Sequence, residues 1–82
     1  MPDHRVTIGE LLLALWRKTL DDDALTPEDD PLMLGATSLQ IMAVIGEIAE
    51  QAAIEVPVEA LFDAVTIADQ AEVLAAAPSQ RG

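Results

Sequence analysis

The stretch "TSLQIMAVIGEIAEQAA", residues 37–53, decides how the chain is read. Turning by about 100° per residue from Ser38 places Ile41, Val44, Ile45, Ile48 and Ala52 on one face, while Gln40, Ala43, Glu47 and Glu50 look outward. Thr37 stands as N-cap, and Gln40, three residues on, is its reciprocal partner in a capping box. An amphipathic helix over about 38–53 follows. Leu39 falls on the polar side of this wheel, with Met42 and Gly46 along the border. One exposed leucine carries little meaning by itself.

Upstream, Ile8, Leu11, Leu12, Leu15 and Trp16 share one helical face between residues 7 and 20, and Thr7 with Glu10 reads as a T-x-x-E capping box. His4 then lies in an N-terminal tail. The linking segment "DDDALTPEDDPLMLGA" has six acidic residues from Asp21 to Asp30, two prolines and a glycine, so it reads as a long solvated loop. Leu25, Leu32, Met33 and Leu34 are its expected apolar anchors. Downstream of Pro57, "VEALFDA" supports a short helical turn with Leu61 and Phe62 pointing inward. Thr66 caps a last helix with Asp69 at its third position and Ile67, Ala71, Val73 and Leu74 as apolar positions. The fold class is therefore all-α: a small four-helix bundle of three main helices and one short one, with a long loop between helices one and two. One domain over 1–82 is expected, ordered from about 6 to 77, with "PSQRG" (78–82) frayed.

Composition narrows the function classes. A chain of 82 residues builds one modest core and has little room for a deep catalytic cleft. Apolar residues make up 51% and aromatics 2%, with Trp16 and Phe62 as the only rings, a palette suited to helices. No cysteine is present, so disulfides, thiolate metal sites and a thiol nucleophile are excluded. A formal charge of -11 repels nucleic acid and anionic lipid and favours partners with basic patches. Without a basic leader or an apolar run long enough to span a bilayer, the expectation is a cytoplasmic, unprocessed monomer with no membrane partner.

Chemical candidates fall away in turn. The acidic loop fails the calcium-loop pattern, offering Leu25 and Thr26 where an oxygen ligand and a glycine are needed, so no metal is assigned. Ser38 has no adjacent base, and "GATSL" lacks the G-x-S-x-G elbow of a nucleophilic serine. A stand-alone enzyme is thus not expected. With the cap role filled by Thr37, Ser38 occupies the first helical position, beside free backbone N–H groups and the positive end of the helix dipole. Gly35 and Ala36 leave the approach open. That setting suits a serine modified by another protein's catalysis.

"LGATSL" resembles the L-G-G-x-S-L attachment motif of the acyl and peptidyl carrier proteins, and "VPVEALFDAVTIADQAEVL" resembles the segment that follows it in peptidyl carriers. The resemblance spans nearly the whole chain. It implies an acyl-carrier-type bundle without catalytic activity, in which Ser38 bears 4′-phosphopantetheine, added from coenzyme A by a phosphopantetheinyl transferase, with Gly35 and Thr37 flanking the attachment. The arm's thiol would hold the cargo as a thioester. It further implies that Leu39, Met42 and Gly46, rimmed by Glu47 and Glu50, and also Phe62, meet partner enzymes: an adenylation enzyme, then condensing, thioesterase or tailoring enzymes.

Departures from the motif are Ala36 for the second glycine, Thr37 where Asp or His is common, and Val65 for the proline before Thr66. Fatty-acid-type carriers resemble D-S-L followed by acids along helix two, whereas Gln40 and Ala43 stand at the early outward positions here. The balance favours a free-standing peptidyl carrier of nonribosomal peptide or hybrid natural-product biosynthesis. An acyl carrier for polyketide or fatty-acid intermediates is the alternative. A helical adaptor that binds through Leu39 and Met42 without a prosthetic group is a second. The high negative charge makes stability salt-dependent: moderate salt should raise Tm, and an unchanged Tm in a thermal melt would show that self-repulsion is unimportant.

Overall fold

A computed structural model describes residues 4–56, 58–61 and 63–78. Their regular structure is four helices: α1 (His4–Leu20), α2 (Ser38–Ala52), α3 (Val58–Leu61) and α4 (Ile67–Ala75). The expected bundle is what forms. Helix α1 packs against both α2 and α4, while α3 touches α4. The apolar stripe of α1 supplies Ile8, Leu12 and Trp16 to the core; α2 adds Val44, Ile45 and Ile48, and α4 adds Ile67 and Leu74. Within these sets, neighbours mostly stand three, four or seven residues apart, so burial follows from helical geometry.

The start of α1 departs from expectation. The helix begins at His4, so Thr7 lies inside it and is not the cap, and His4 belongs to the helix instead of a tail. At its C-terminus, Asp21 adopts φ 52°, its N–H donates to the Lys18 carbonyl at 3.3 Å, and the Asp22 N–H reaches the Arg17 carbonyl at 2.9 Å. This is a Schellman closure with Asp in the left-handed position, which short polar side chains tolerate. Arg17 and Lys18 in the last turn complement the helix dipole.

The α1–α2 loop is held by its backbone more than by its leucines. Leu25 is buried, and the Arg17 Nε and Nη2 atoms both donate to its carbonyl, at 3.1 and 2.8 Å. Leu32, Met33 and Leu34, expected as anchors, are exposed, and the buried Pro31 takes that place. The reason is turn geometry: the Leu34 N–H and Ala36 N–H both donate to the Pro31 carbonyl, and the Gly35 N–H to that of Leu32. The tight turn pins Pro31 inward and turns the three apolar side chains out. The loop's acids serve the turns, since Asp22, Asp29 and Asp30 carboxylates accept the N–H groups of Ala24, Thr26 and Leu32 at 2.8–2.9 Å.

Helices α2 and α4 match their expected caps. In each, the cap threonine accepts from the third helical N–H and the third side chain accepts from the cap N–H: Thr37 with Gln40, and Thr66 with Asp69. Helix α2 ends at Ala53, whose φ of 53° closes the helix as the Ile54 N–H donates to the Ala49 carbonyl. Leu61 is half-buried against the core, as expected for the short helix, whereas Phe62 lies outside the described residues. Pro78, expected in a frayed tail, is tied down, its carbonyl accepting the Glu55 N–H at 2.8 Å. Across the core, the fully buried Trp16 donates its Nε1–H to Gln70 Oε1 at 2.9 Å.

Three substitutions test this arrangement. Trp16→Phe removes that donor and opens a void, and should destabilise by about 2–3 kcal/mol in urea unfolding, combining an unpaired acceptor with lost packing. Gly35 has φ +101° with open space where a Cβ would sit, so Gly35→Ala should cost about 1–2 kcal/mol through backbone strain alone. Gly46, on the exposed side of α2 with equally open space, should behave oppositely, Gly46→Ala gaining about 0.5–1 kcal/mol.

Candidate functional site

The loop delivers the chain to α2 through one tight turn. Ala36, which the sequence suggested would help to leave the approach open, is instead buried, its methyl in the core cluster. Its role is to seat the turn. Gly35 supplies the positive φ that lets the backbone reverse into Thr37. Thr37 then fixes the helix entry: its Oγ1 accepts the Gln40 N–H at 3.1 Å, and its N–H donates to Gln40 Oε1 at 2.9 Å.

Ser38 follows, exposed, at the first helical position. Among the described residues its hydroxyl has no hydrogen-bond partner, and the N–H groups of Ser38 and Leu39 meet no acceptor; the first amides engaged are those of Gln40 and Ile41. An exposed hydroxyl, two unclaimed N–H groups and the positive helix end meet at one point.

The start of α4 is closed by contrast. Its capping box is the same, yet the Ile67 N–H donates to the Asp29 carbonyl at 3.0 Å and the Ala68 N–H to the Pro27 carbonyl at 2.7 Å. With Asp69 and Gln70 bonded to Thr66, every N-terminal donor of α4 is taken. The acidic loop thus closes one helix start and leaves the other free.

Beside Ser38 lies a cavity of about 210 Å³, walled chiefly by Pro31, Ile41, Met42, Leu61 and Val65. Gln70, only 4% exposed, also lines it. The sequence reading passed over Gln70, although the residue stands in the 67, 70, 71, 74 stripe of α4, where a polar residue signals a buried partner. On the outer side, Leu39 is 83% and Met42 53% exposed, and Gly46, Glu47 and Glu50 are exposed along the same helix. Leu39, Met42 and Gly46 lie at i, i+3 and i+7, forming one edge. Met33, at 82%, with Leu32, Leu34 and Val65, adds exposed apolar surface that the sequence reading had assigned inward or left out. Among the described residues, no helix is long and apolar enough to cross a membrane and no group of three metal-ligating side chains assembles.

The family model of the phosphopantetheine attachment site matches residues 10–74. No curated protein and no solved structure matches the chain. Domains of this family carry covalent 4′-phosphopantetheine, are modified by phosphopantetheinyl transferases, and serve biosynthetic enzymes as carriers, generally without catalysis of their own. The open start of α2 fits such a group, with a free hydroxyl for a phosphodiester and N–H donors beside it for the phosphate oxygens. Matched from the first turns of α1 to the last turn of α4, the chain belongs to the phosphopantetheine attachment site family and is a carrier protein.

Proposed function

We propose that Ser38 bears the arm and that the chain is a peptidyl-type carrier in nonribosomal peptide or hybrid natural-product biosynthesis. The observation that carries the assignment is the free Ser38 hydroxyl beside the unclaimed Ser38 and Leu39 N–H groups. In the loading step, Ser38 Oγ attacks the pantetheine-bearing phosphorus of coenzyme A, and its proton passes to a base of the transferase. The phosphoanhydride breaks, and adenosine 3′,5′-bisphosphate leaves. When bound, the group supplies a thiol that holds an acyl or aminoacyl cargo as a thioester. The chain's own residues hold the attachment point: Thr37 and Gln40 fix the helix entry, and Gly35 sets the turn before it. Backbone donors steady the phosphate.

The peptidyl reading draws support from the edge of α2. Ala43 is exposed and uncharged, and the Gln40 side chain is spent on the cap, so acids first appear outward at Glu47. Partners would meet an apolar edge of Leu39, Met42 and Gly46 before the rim of Glu47 and Glu50, an arrangement suited to an apolar pocket with basic surroundings. An adenylation enzyme would load the cargo, and condensing, thioesterase or tailoring enzymes would receive it. The cavity beside Ser38 favours the second reading, an acyl carrier for polyketide or fatty-acid intermediates.

Incubation with coenzyme A and a promiscuous phosphopantetheinyl transferase, followed by intact-mass measurement, should give full conversion of the wild type and none of Ser38→Ala. Because Thr37 holds the cap, Ser38→Ala should shift stability by less than about 0.5 kcal/mol. No mass gain in the wild type, or equal gain in both, would remove Ser38 as the attachment point and leave the adaptor reading. Offering the holo-protein to adenylation enzymes and to acyltransferases from the same gene neighbourhood then separates peptidyl from acyl loading.

A further inference from the structure

The cavity beside Ser38 is mostly apolar, and one of its polar lining residues, Gln70, is oriented. Trp16 Nε1–H can only donate, so the atom of Gln70 that it meets at 2.9 Å must be the carboxamide oxygen. The Nε2 of Gln70, with two N–H donors, therefore points the other way. Among the described residues no protein acceptor takes these donors, and no buried side-chain polar atom is left without a partner, so Nε2 keeps contact with solvent. The residue itself is 96% buried and lines the cavity, the side to which we assign that contact. A fixed amide donor thus faces a mostly apolar chamber whose rim includes Ser38. The charged lining residue, Asp30, already has a carboxylate oxygen engaged by the Leu32 N–H.

We infer that this cavity receives a carbonyl-bearing portion of the group tethered at Ser38, with Gln70 Nε2 donating to the carbonyl oxygen and Trp16 holding the carboxamide in that orientation. The inference rests on the proposed attachment at Ser38 and deepens it by naming the chemistry recognised. A plain alkyl segment would displace water from Nε2 and leave the donor unpaired, whereas a segment with an acceptor replaces the lost bond. Pro31, Ile41, Leu61 and Val65 cover the apolar remainder of the occupant. The carbonyl has two possible sources with one chemistry, the amides of the arm or the carried acyl group, and they are separable by experiment.

The wild type is loaded by the transferase from coenzyme A, hexanoyl-coenzyme A or 3-oxohexanoyl-coenzyme A, and each product is checked by intact mass. The Gln70 side-chain amide signals are followed by ¹⁵N-resolved NMR and assigned by their loss in Gln70→Glu, which keeps an acceptor for Trp16 and removes the donor. A downfield shift of these protons already present in the unacylated product assigns the carbonyl to the arm. A shift that appears only on acylation assigns it to the cargo, at the thioester if both acyl forms shift and at the 3-oxo group if only that form does. Full modification with Gln70 unmoved in all three products overturns the inference and leaves Ser38 in place. Absence of modification overturns the attachment itself and this inference with it. In Gln70→Glu, checked for its fold by circular dichroism, cross-relaxation from the tethered group to the Ile41 and Leu61 methyls should fall about fivefold, the ratio for one net hydrogen bond. Undiminished cross-relaxation would show that Gln70 is not the donor.

Discussion

Two backbone hydrogen bonds, from the Ile67 and Ala68 N–H groups to the carbonyls of Asp29 and Pro27, tie the long acidic loop to the start of α4. Much else depends on them. They satisfy the two α4 donors that the capping box leaves over, so that the helix can start against the loop without orphan amides. They also fix where the loop must turn. Held there and at the Arg17–Leu25 contact, the chain has one short route to α2, through the buried Pro31 and Ala36. The position of Ser38 is therefore set from three directions: by α1 through Arg17, by α4 through its amides, and by the core through Pro31.

The same constraint accounts for the exposed apolar surface. A loop anchored by its backbone has no need to bury every leucine, and a turn centred on the Pro31 carbonyl sends Leu32, Met33 and Leu34 outward. With Leu39, Met42 and Val65 they are, among the described residues, the large apolar side chains left most open to solvent. Concentration of such residues around one helix start is characteristic of a surface that meets other proteins. This agrees with a carrier that must be handled by several enzymes in turn.

What could be read beforehand was whatever is encoded locally. The capping boxes at Thr37 and Thr66 are four-residue patterns whose partners lie within the pattern, and the faces of α2 and α4 follow from periodicity. The T-x-x-E at Thr7 shows the limit of such patterns, since α1 runs on past it to His4. Loop anchors were misread because burial in an irregular segment is decided by tertiary hydrogen bonds, here to Pro31, and not by side-chain apolarity. Gln70 was missed for a related reason. Glutamine is ordinarily a surface residue, and only Trp16, 54 positions away in sequence, makes its burial tolerable.

Under the proposed attachment at Ser38, the adjacent hydroxyl residues Thr37 and Ser38 have separate duties. The Thr37 oxygen is committed to the Gln40 amide, while that of Ser38 is bound to nothing among the described residues. Had the capping oxygen also been the proposed attachment point, addition of the arm would have altered the helix end and so shifted the folding equilibrium. With the two tasks on neighbouring residues, a group added to Ser38 withdraws no bond from the fold. Linkage then runs weakly in both directions: loading has little leverage on unfolding, and marginal folding has little leverage on loading. A carrier passed among many enzymes can in this way keep the same native state at every stage.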